Sequence, residues 1–449
     1  MRTDRTGVLF LVLGTVFGLA FALGTPPLST PDEHRHLARI FMISEGQFQI
    51  PGGAPGTEVF FPSSILELQN RMRHSMPTRP PRRYSRAEIR ALHQIQLRPE
   101  ERQRAGYVGL YPPVAYAPQA LALLPGRLAS ATPVTLLLLA RLGNLLGYLA
   151  LGTLALHIVP ARRHALALWM LLPMSLAQAS SASPDGVTFG LAALTFAALT
   201  RAMVASRPLM IREGVTVLLC AALLGLAKPG YAPLGLLALA IPVERFSSRV
   251  RHAGFCAGVV TTAMVPGLLW HAAAQGVDPS GAGQASDVAG QLRHLWQHPW
   301  GFPDVLLATL QLGWDRYLLG IIGVLGHLNV YLPMPVYFVL GLGLVCAARA
   351  DIRDPIPLGW QRRALLIGLF VIGSVGIFAL AYIGWNTPGR EWIQGVQGRY
   401  LSPWVPLLLL AIPGGGRVHR SDLDAAVAVI AALGLASAVL AGWNAFYGA

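Results

Sequence analysis

Charge is what this 449-residue chain most lacks: 12% of its residues are charged, against about a quarter in a soluble globular chain. With 53% hydrophobic residues and a mean hydropathy of +0.50, that shortage excludes a cytosolic enzyme of ordinary domains, and equally a disordered or fibrous protein. Lys228 is the only lysine, so the net charge of +14 is an excess of arginine. Arginine in such a chain holds short loops on the cytoplasmic side of a membrane and implies no nucleic-acid partner. Cysteine is scarce as well. Cys220, Cys256 and Cys346 fall within apolar runs without metal-ligand spacing, which reads as packing and implies no disulfide framework. There is no P-loop, no Gly-x-Gly-x-x-Gly after a strand, no His-Glu-x-x-His and no Cys-x-x-Cys pair, and the histidines are scattered, so spacing supports no metal site. No repeat of fixed period occurs, and the one biased tract is the Pro/Arg-rich piece Pro77 to Arg86, read as a mobile part of a loop.

Apolar runs are what it has in quantity. A membrane-spanning helix needs about 20 mostly apolar residues. Eleven runs qualify: 7–25, 134–158, 164–182, 186–204, 213–228, 231–247, 252–274, 333–349, 363–384, 400–413 and 424–446, the tenth being short. The expected fold is therefore an all-α integral membrane protein, one polytopic domain over 1–449. The first run is read as an uncleaved anchor rather than a signal peptide, because it is long and many spans follow.

Arginines set the expected orientation. Arg2 and Arg5 place the N-terminus in the cytoplasm, and the basic loops at Arg162 and Arg163, Arg201 to Arg212, Arg245 to Arg251, Arg349 to Arg363, and Arg417 and Arg420 follow at every second turn. This alternation requires that 301–326, with Asp304, Asp315 and Arg316, is an interfacial or re-entrant segment rather than a span. Two long outer stretches result, 26–132 and 275–332, and chemistry is expected there. The twelve arginines from Arg35 to Arg104 do not oppose this, since long loops cross regardless of charge.

The first outer loop opens with Thr30-Pro31-Asp32-Glu33-His34-Arg35-His36. The spacing leaves two readings open. Thr30 and Glu33 form a capping box with Pro31 at the first helical position. Alternatively Asp32 or Glu33, just beyond a span, accepts a proton from an incoming hydroxyl. Tyr111-Pro112-Pro113-Val114-Ala115-Tyr116 returns the loop to the membrane and reads as interfacial anchoring, with a lipid or sugar contact as the second reading. Asp185, after Ser183-Pro184, is either a plain cap or an acid facing the outer loop at membrane level. Lys228, in the turn Lys228-Pro229-Gly230-Tyr231, is a lone outer cation that either snorkels to head groups or binds phosphate. Arg390 and Arg399 lie in the last outer loop beside glycines, and an arginine fork suits phosphate oxygens. The adjacent acids are hard oxygen ligands suited to Mg²⁺ or Mn²⁺, but two are too few to define a site, and no cofactor is firmly implied.

In this order the motifs resemble the DUF2142 family of bacterial multi-span membrane proteins. The match lies in Pro31-Asp32-Glu33 with His36, Tyr111 to Tyr116, Ser183-Pro184-Asp185, Lys228-Pro229-Gly230-Tyr231 and Gln397-Gly398-Arg399-Tyr400. One position departs: Asn329, in Gly326-His327-Leu328-Asn329, stands where family members often carry an acid, so no ionising task falls to it. The family in turn resembles the GT-C membrane glycosyltransferases. That likeness implies a bundle of about 11 transmembrane helices in a bacterial inner membrane, with a large first outer loop carrying short helices. It implies a polyprenyl-phosphate-linked sugar as donor, a cell-envelope glycan or glycolipid as acceptor, and an active face in the periplasm. Asp32 or Glu33 would be catalytic, Lys228, Arg399 and Arg390 would hold the donor phosphate, and Asp185, His36, Tyr111, Tyr116, Tyr231, Gln397 and Tyr400 would complete the substrate site. Two other readings stand beside it: a flippase of lipid-linked sugars, and a non-catalytic subunit of an envelope-polysaccharide assembly system. The absence of a duplicated half speaks against transport.

Overall fold

The computed structural model describes residues 4–48, 59–73, 81–105, 111–273, 287–350, 358–415 and 419–448. Arg2, Arg353 and Arg417, residues 77–80 of the Pro/Arg-rich tract and the start of the second outer stretch lie outside them. The chain is an all-α membrane protein. Ten principal helices are α1 (Arg5–Gly24), α2 (Glu33–Ser44), α3 (Pro133–Ile158), α4 (Asp185–Val204), α5 (Ile211–Ala227), α6 (Arg249–Ala273), α7 (Gly301–Ile322), α8 (Met334–Ala350), α9 (Trp360–Trp385) and α10 (Arg420–Tyr447). Among the described residues seven of these, α1, α3, α4, α6, α7, α9 and α10, are long and apolar enough to cross a membrane. The first loop carries short helices, as expected, and a small antiparallel pairing of Val59–Pro62 with Arg102–Ala105.

Three expected spans are not continuous α-helices, and proline is the reason in each. Residues 164–182 break into Arg163–Met170 and Pro173–Ala179. Pro173 has no N–H to offer one turn back and disfavours helix in the residue before it. The carbonyls at the break are served by side chains instead: Tyr148 Oη donates to Met170 O at 2.6 Å and Ser175 Oγ to Trp169 O at 3.1 Å. In place of 231–247 stands a 3-10 helix, Pro229–Ala240, with Pro233 inside it. Its 12 residues reach further than an α-helix of that length, about 24 Å against about 18 Å. The run 400–413 begins as a 3-10 turn, Gly398–Trp404, and finishes as the short helix Val405–Ala411 around Pro403 and Pro406.

α4 is the centre, its residues buried almost throughout between α3, α5 and the 3-10 helix. α1 packs on α3 through Gly14 and Gly18, where an added Cβ would lie 2.6 and 2.5 Å from Leu149 and Leu145. Small residues let two helix backbones approach this closely in lipid, where packing rather than water drives association. One end of the bundle is tied by polar contacts. Arg163 pairs with Asp4, and Asp424 Oδ1 accepts from Thr6 Oγ1 at 2.9 Å and lies 2.8 Å from His164 Nε2. At that end too Arg245 donates to Arg207 O and to Glu213 Oε2. The opposite end holds the first loop and a two-residue hairpin, Val324–Leu325 with Val330–Tyr331.

α7 kinks at Gly313. Phe302 stacks 5.8 Å from Tyr382 and Tyr317 lies 5.1 Å from Phe378, so both halves rest on the last part of α9. Thr309 Oγ1 accepts from Ile393 N in the loop beyond α9.

Candidate active site

The segment before α2 holds two non-glycine residues in the left-handed region, Leu28 (φ 56°) and Asp32 (φ 60°). Such residues are uncommon and concentrate where surrounding structure over-determines them. The expected capping box does not form. α2 begins at Glu33, Asp32 caps nothing with its side chain, and Thr30 Oγ1 has no hydrogen-bond partner. Glu33 turns inward instead. It accepts from Arg141 Nε and Nη2, each at 2.8 Å, and from Ala182 N at 3.0 Å, and it is fully buried. Arg141, on α3, also donates to Ala22 O, Thr25 O and Pro26 O. All five guanidinium N–H groups are thereby used. Glu33 therefore ties the first loop to α3 and the 178–183 turn, its carboxylate enclosed and hydrogen-bonded. Asp32, beside it, remains partly exposed.

Asp185 opens α4 at the same end. Its Oδ1 accepts from Lys228 Nζ at 2.9 Å, and its Oδ2 lies 2.8 Å from Arg399 Nε, off the hydrogen-bonding direction. Arg399 is 3% exposed, and its Nη1 has no acceptor among the described residues. Aromatic rings wall the cluster: Tyr400 under Lys228 at 4.3 Å and under Arg399 at 5.1 Å, with Tyr231 bonded to the Tyr400 carbonyl. Gly398 is needed here, since a Cβ would sit 2.4 Å from Tyr317 O. His36 faces the group from α2, its Nδ1 2.9 Å from Tyr116 Oη and its ring 5.6 Å from that of Tyr111.

Burial lowers the His36 pKa to about 4, against the pull of Asp32 and Asp185, and with help from Arg399 and Lys228. Asp32 is thus within electrostatic reach of the same cluster. His36 is therefore a neutral ring at pH 7. Since an unfolded His titrates near 6.5, its contribution to stability is fully present above that pH and is lost as pH falls towards 4. We expect stability, followed by thermal melts, to fall across pH 6.5 to 4 more steeply than in His36→Gln, the difference reaching about 3 kcal/mol. Parallel curves for the two proteins would contradict this.

The structure thus brings together Asp32, His36, Tyr111, Tyr116, Asp185, Lys228, Tyr231, Arg399 and Tyr400. Gln397 stands at the edge, its Oε1 enclosed without a partner. Arg390 rests 5.7 Å over the Trp392 ring. Among the described residues no three His, Cys, Asp or Glu side chains gather as a metal would need. Two residues were missed by sequence reasoning. Arg141 sat in plain view, an ionisable group inside an apolar run. His327, in the hairpin with Asn329, hydrogen-bonds the Leu28 backbone and lies within electrostatic reach of Glu33 and Asp32; the stretch was singled out for Asn329, and His327 itself carried no signal.

Fold and site define a multi-pass, all-α membrane protein with a buried ionic cluster and a strained acidic turn at one end of its bundle. The family model described as predicted membrane protein (DUF2142) matches residues 15–408, and the chain belongs to that family. Comparison with curated proteins and with solved structures gave no match.

Proposed function

We infer that the chain is a GT-C-like glycosyltransferase of the bacterial inner membrane, with its N-terminus in the cytoplasm and its site on the periplasmic face. The observation that carries this is the convergence of Asp32, Asp185, Lys228 and Arg399, 153 or more residues apart between the first and the others in sequence, around one aromatic-walled site. In this reading 301–326 stays on the outer side, supported by both halves of α7 resting on the same part of α9. The whole chain then acts as one polytopic domain.

The donor is a sugar on a polyprenyl phosphate. The acceptor hydroxyl attacks the anomeric carbon, Asp32 takes its proton, and the bond from that carbon to the phosphate oxygen breaks with its electron pair on the phosphate. The anomeric centre inverts. Lys228 and Arg399 receive the charge that develops there, with the unpartnered Arg399 Nη1 as the ready donor. Asp185 holds both cations in place while the site is empty of phosphate. His36, Tyr111, Tyr116, Tyr231, Gln397 and Tyr400 shape the sugar site, and Arg390, on the same loop as Arg399, is a further cation for the phosphate.

The test is transfer of labelled sugar from a polyprenyl-phosphate donor by the purified chain. Arg399→Lys keeps the charge but loses the fork, and should cut kcat/KM about 10- to 100-fold. Undiminished transfer by Arg399→Lys would remove the phosphate assignment. Translocation of the lipid-linked sugar without bond cleavage would indicate a flippase instead.

A further inference from the structure

A cavity lies beside the acidic turn, lined in part by Thr25 and Thr30. α1 and α10 are tied at one end through Thr6 and Asp424, and at the other end they part around a groove of about 350 Å³. That volume falls in the range of about 300–1,000 Å³ usual for small-ligand sites. Its walls are Phe21 and Gly24 of α1, Val439, Gly442 and Phe446 of α10, and Leu325 of the hairpin. Leu23, Leu440 and Trp443, on the same stretches of α1 and α10, are more than half exposed on helices apolar enough to cross a membrane, so the groove is continuous with a lipid-facing surface.

The polar end of the groove is unusual. Thr30 and Gln178 line it, both over nine-tenths buried, and neither Thr30 Oγ1 nor Gln178 Oε1 has a hydrogen-bond partner among the described residues. Buried polar atoms are normally satisfied, and leaving one unmade costs about 1–3 kcal/mol. Among the described residues no Lys, Arg, His, Asp or Glu lines the groove. A hydroxyl and an amide carbonyl suit a ligand that is itself a hydroxyl; they offer nothing to neutralise a phosphate. Thr30 stands two residues before Asp32, and Gly326 in the wall is next to His327, which lies within electrostatic reach of Glu33 and Asp32.

We propose that this groove binds the hydrocarbon tail of an uncharged, hydroxyl-headed lipid and presents its hydroxyl to Asp32, so that the acceptor is a neutral lipid or glycolipid. The assignment rests on the glycosyltransferase reading for the word acceptor, but not for the binding itself. Donor and acceptor then approach Asp32 from different sides, the phosphate held by Lys228 and Arg399 and the hydroxyl by Thr30 and Gln178.

Binding can be read without turnover. The full chain in phosphatidylcholine nanodiscs is photolabelled with a diazirine-tailed diacylglycerol or with phosphatidic acid bearing the same tail, and the labelled peptides are mapped. The diacylglycerol should label the peptides carrying Phe21–Thr25 and Ala438–Phe446 about fivefold more than phosphatidic acid does, roughly the worth of one net hydrogen bond. Gly442→Leu should abolish most of that labelling; a Cβ at Gly442 meets nothing within 4 Å, so the variant fills the groove without disturbing the fold. Thr30→Val should make the two probes equal. Equal labelling by both probes in the unaltered chain, or labelling indifferent to Gly442→Leu, would reduce the groove to ordinary annular lipid and overturn the proposal. If the probes discriminate but sugar transfer does not depend on Asp32, the groove stands and the enzymatic reading falls. If transfer depends on Asp32 and the probes do not discriminate, the groove alone falls.

Discussion

Asp32→Asn should lower sugar transfer by about 10²–10⁴-fold, the usual contribution of a positioned proton acceptor, and leave the melting temperature within a degree or two. The second half of that expectation comes from geometry. Asp32 sits at φ 60°, caps no helix with its side chain and is partly exposed. Asn adopts the left-handed region at least as readily as Asp, so the turn persists while the proton acceptor is lost. The loss should appear in kcat with little change in either KM, because an amide of the same shape still fits the bound substrates. An active Asp32→Asn protein would end the acid–base proposal. An inactive one that has also unfolded would contradict the structural half, and circular dichroism with a thermal melt separates the two.

Arg141→Met should be the most destabilising single change in the described part of the chain, by about 3–5 kcal/mol, with most of the protein lost from the membrane fraction. It leaves the Glu33 carboxylate buried with only Ala182 N as partner, and it orphans the carbonyls of Ala22, Thr25 and Pro26. Breaking a buried pair from one side costs far more than the pair itself contributes, since the remaining charge has nowhere to find water. Glu33→Gln should cost less, because Arg141 keeps its three carbonyls and the amide oxygen still accepts one N–H. The ordering Arg141→Met, then Glu33→Gln, then Asp32→Asn at near zero is what thermal melts of the three would check. Equal stability of Glu33→Gln and Asp32→Asn would mean that the two neighbouring acids are not divided into structural and accessible roles.

That division was not legible in the sequence. Asp32 and Glu33 are adjacent and both stand near a helix start, so spacing treats them as a pair and suggests a capping box with Thr30. What separates them is a left-handed turn at Asp32 and an arginine 108 positions on from Glu33, in another helix. The residues of the cluster itself were legible one by one. Lys228 stood out as the only lysine and Asp185 as an acid at a span boundary, while Arg399 stood out as a cation where the apolar run resumes. Arg390 looked equivalent to Arg399, and only the structure shows Arg399 buried against Asp185 while Arg390 rests over Trp392.

The long apolar runs, read against a hydrocarbon layer of about 30 Å, were enough by themselves to give an all-α membrane protein, because an unpaired backbone group in lipid costs too much for any other arrangement of such segments. They did not reveal which runs would stay whole helices. Proline breaks at 173, 233 and 403 matter only where Tyr148, Ser175 or a 3-10 turn is on hand to serve the freed carbonyls, and those helpers come from elsewhere in the chain. Likewise, a single sequence displays every candidate charge but not its partner. Whether a buried carboxylate is a tie or a reagent depends on which distant N–H groups reach it, and that is decided only when α3, α4 and the closing loop pack against the first turn after α1.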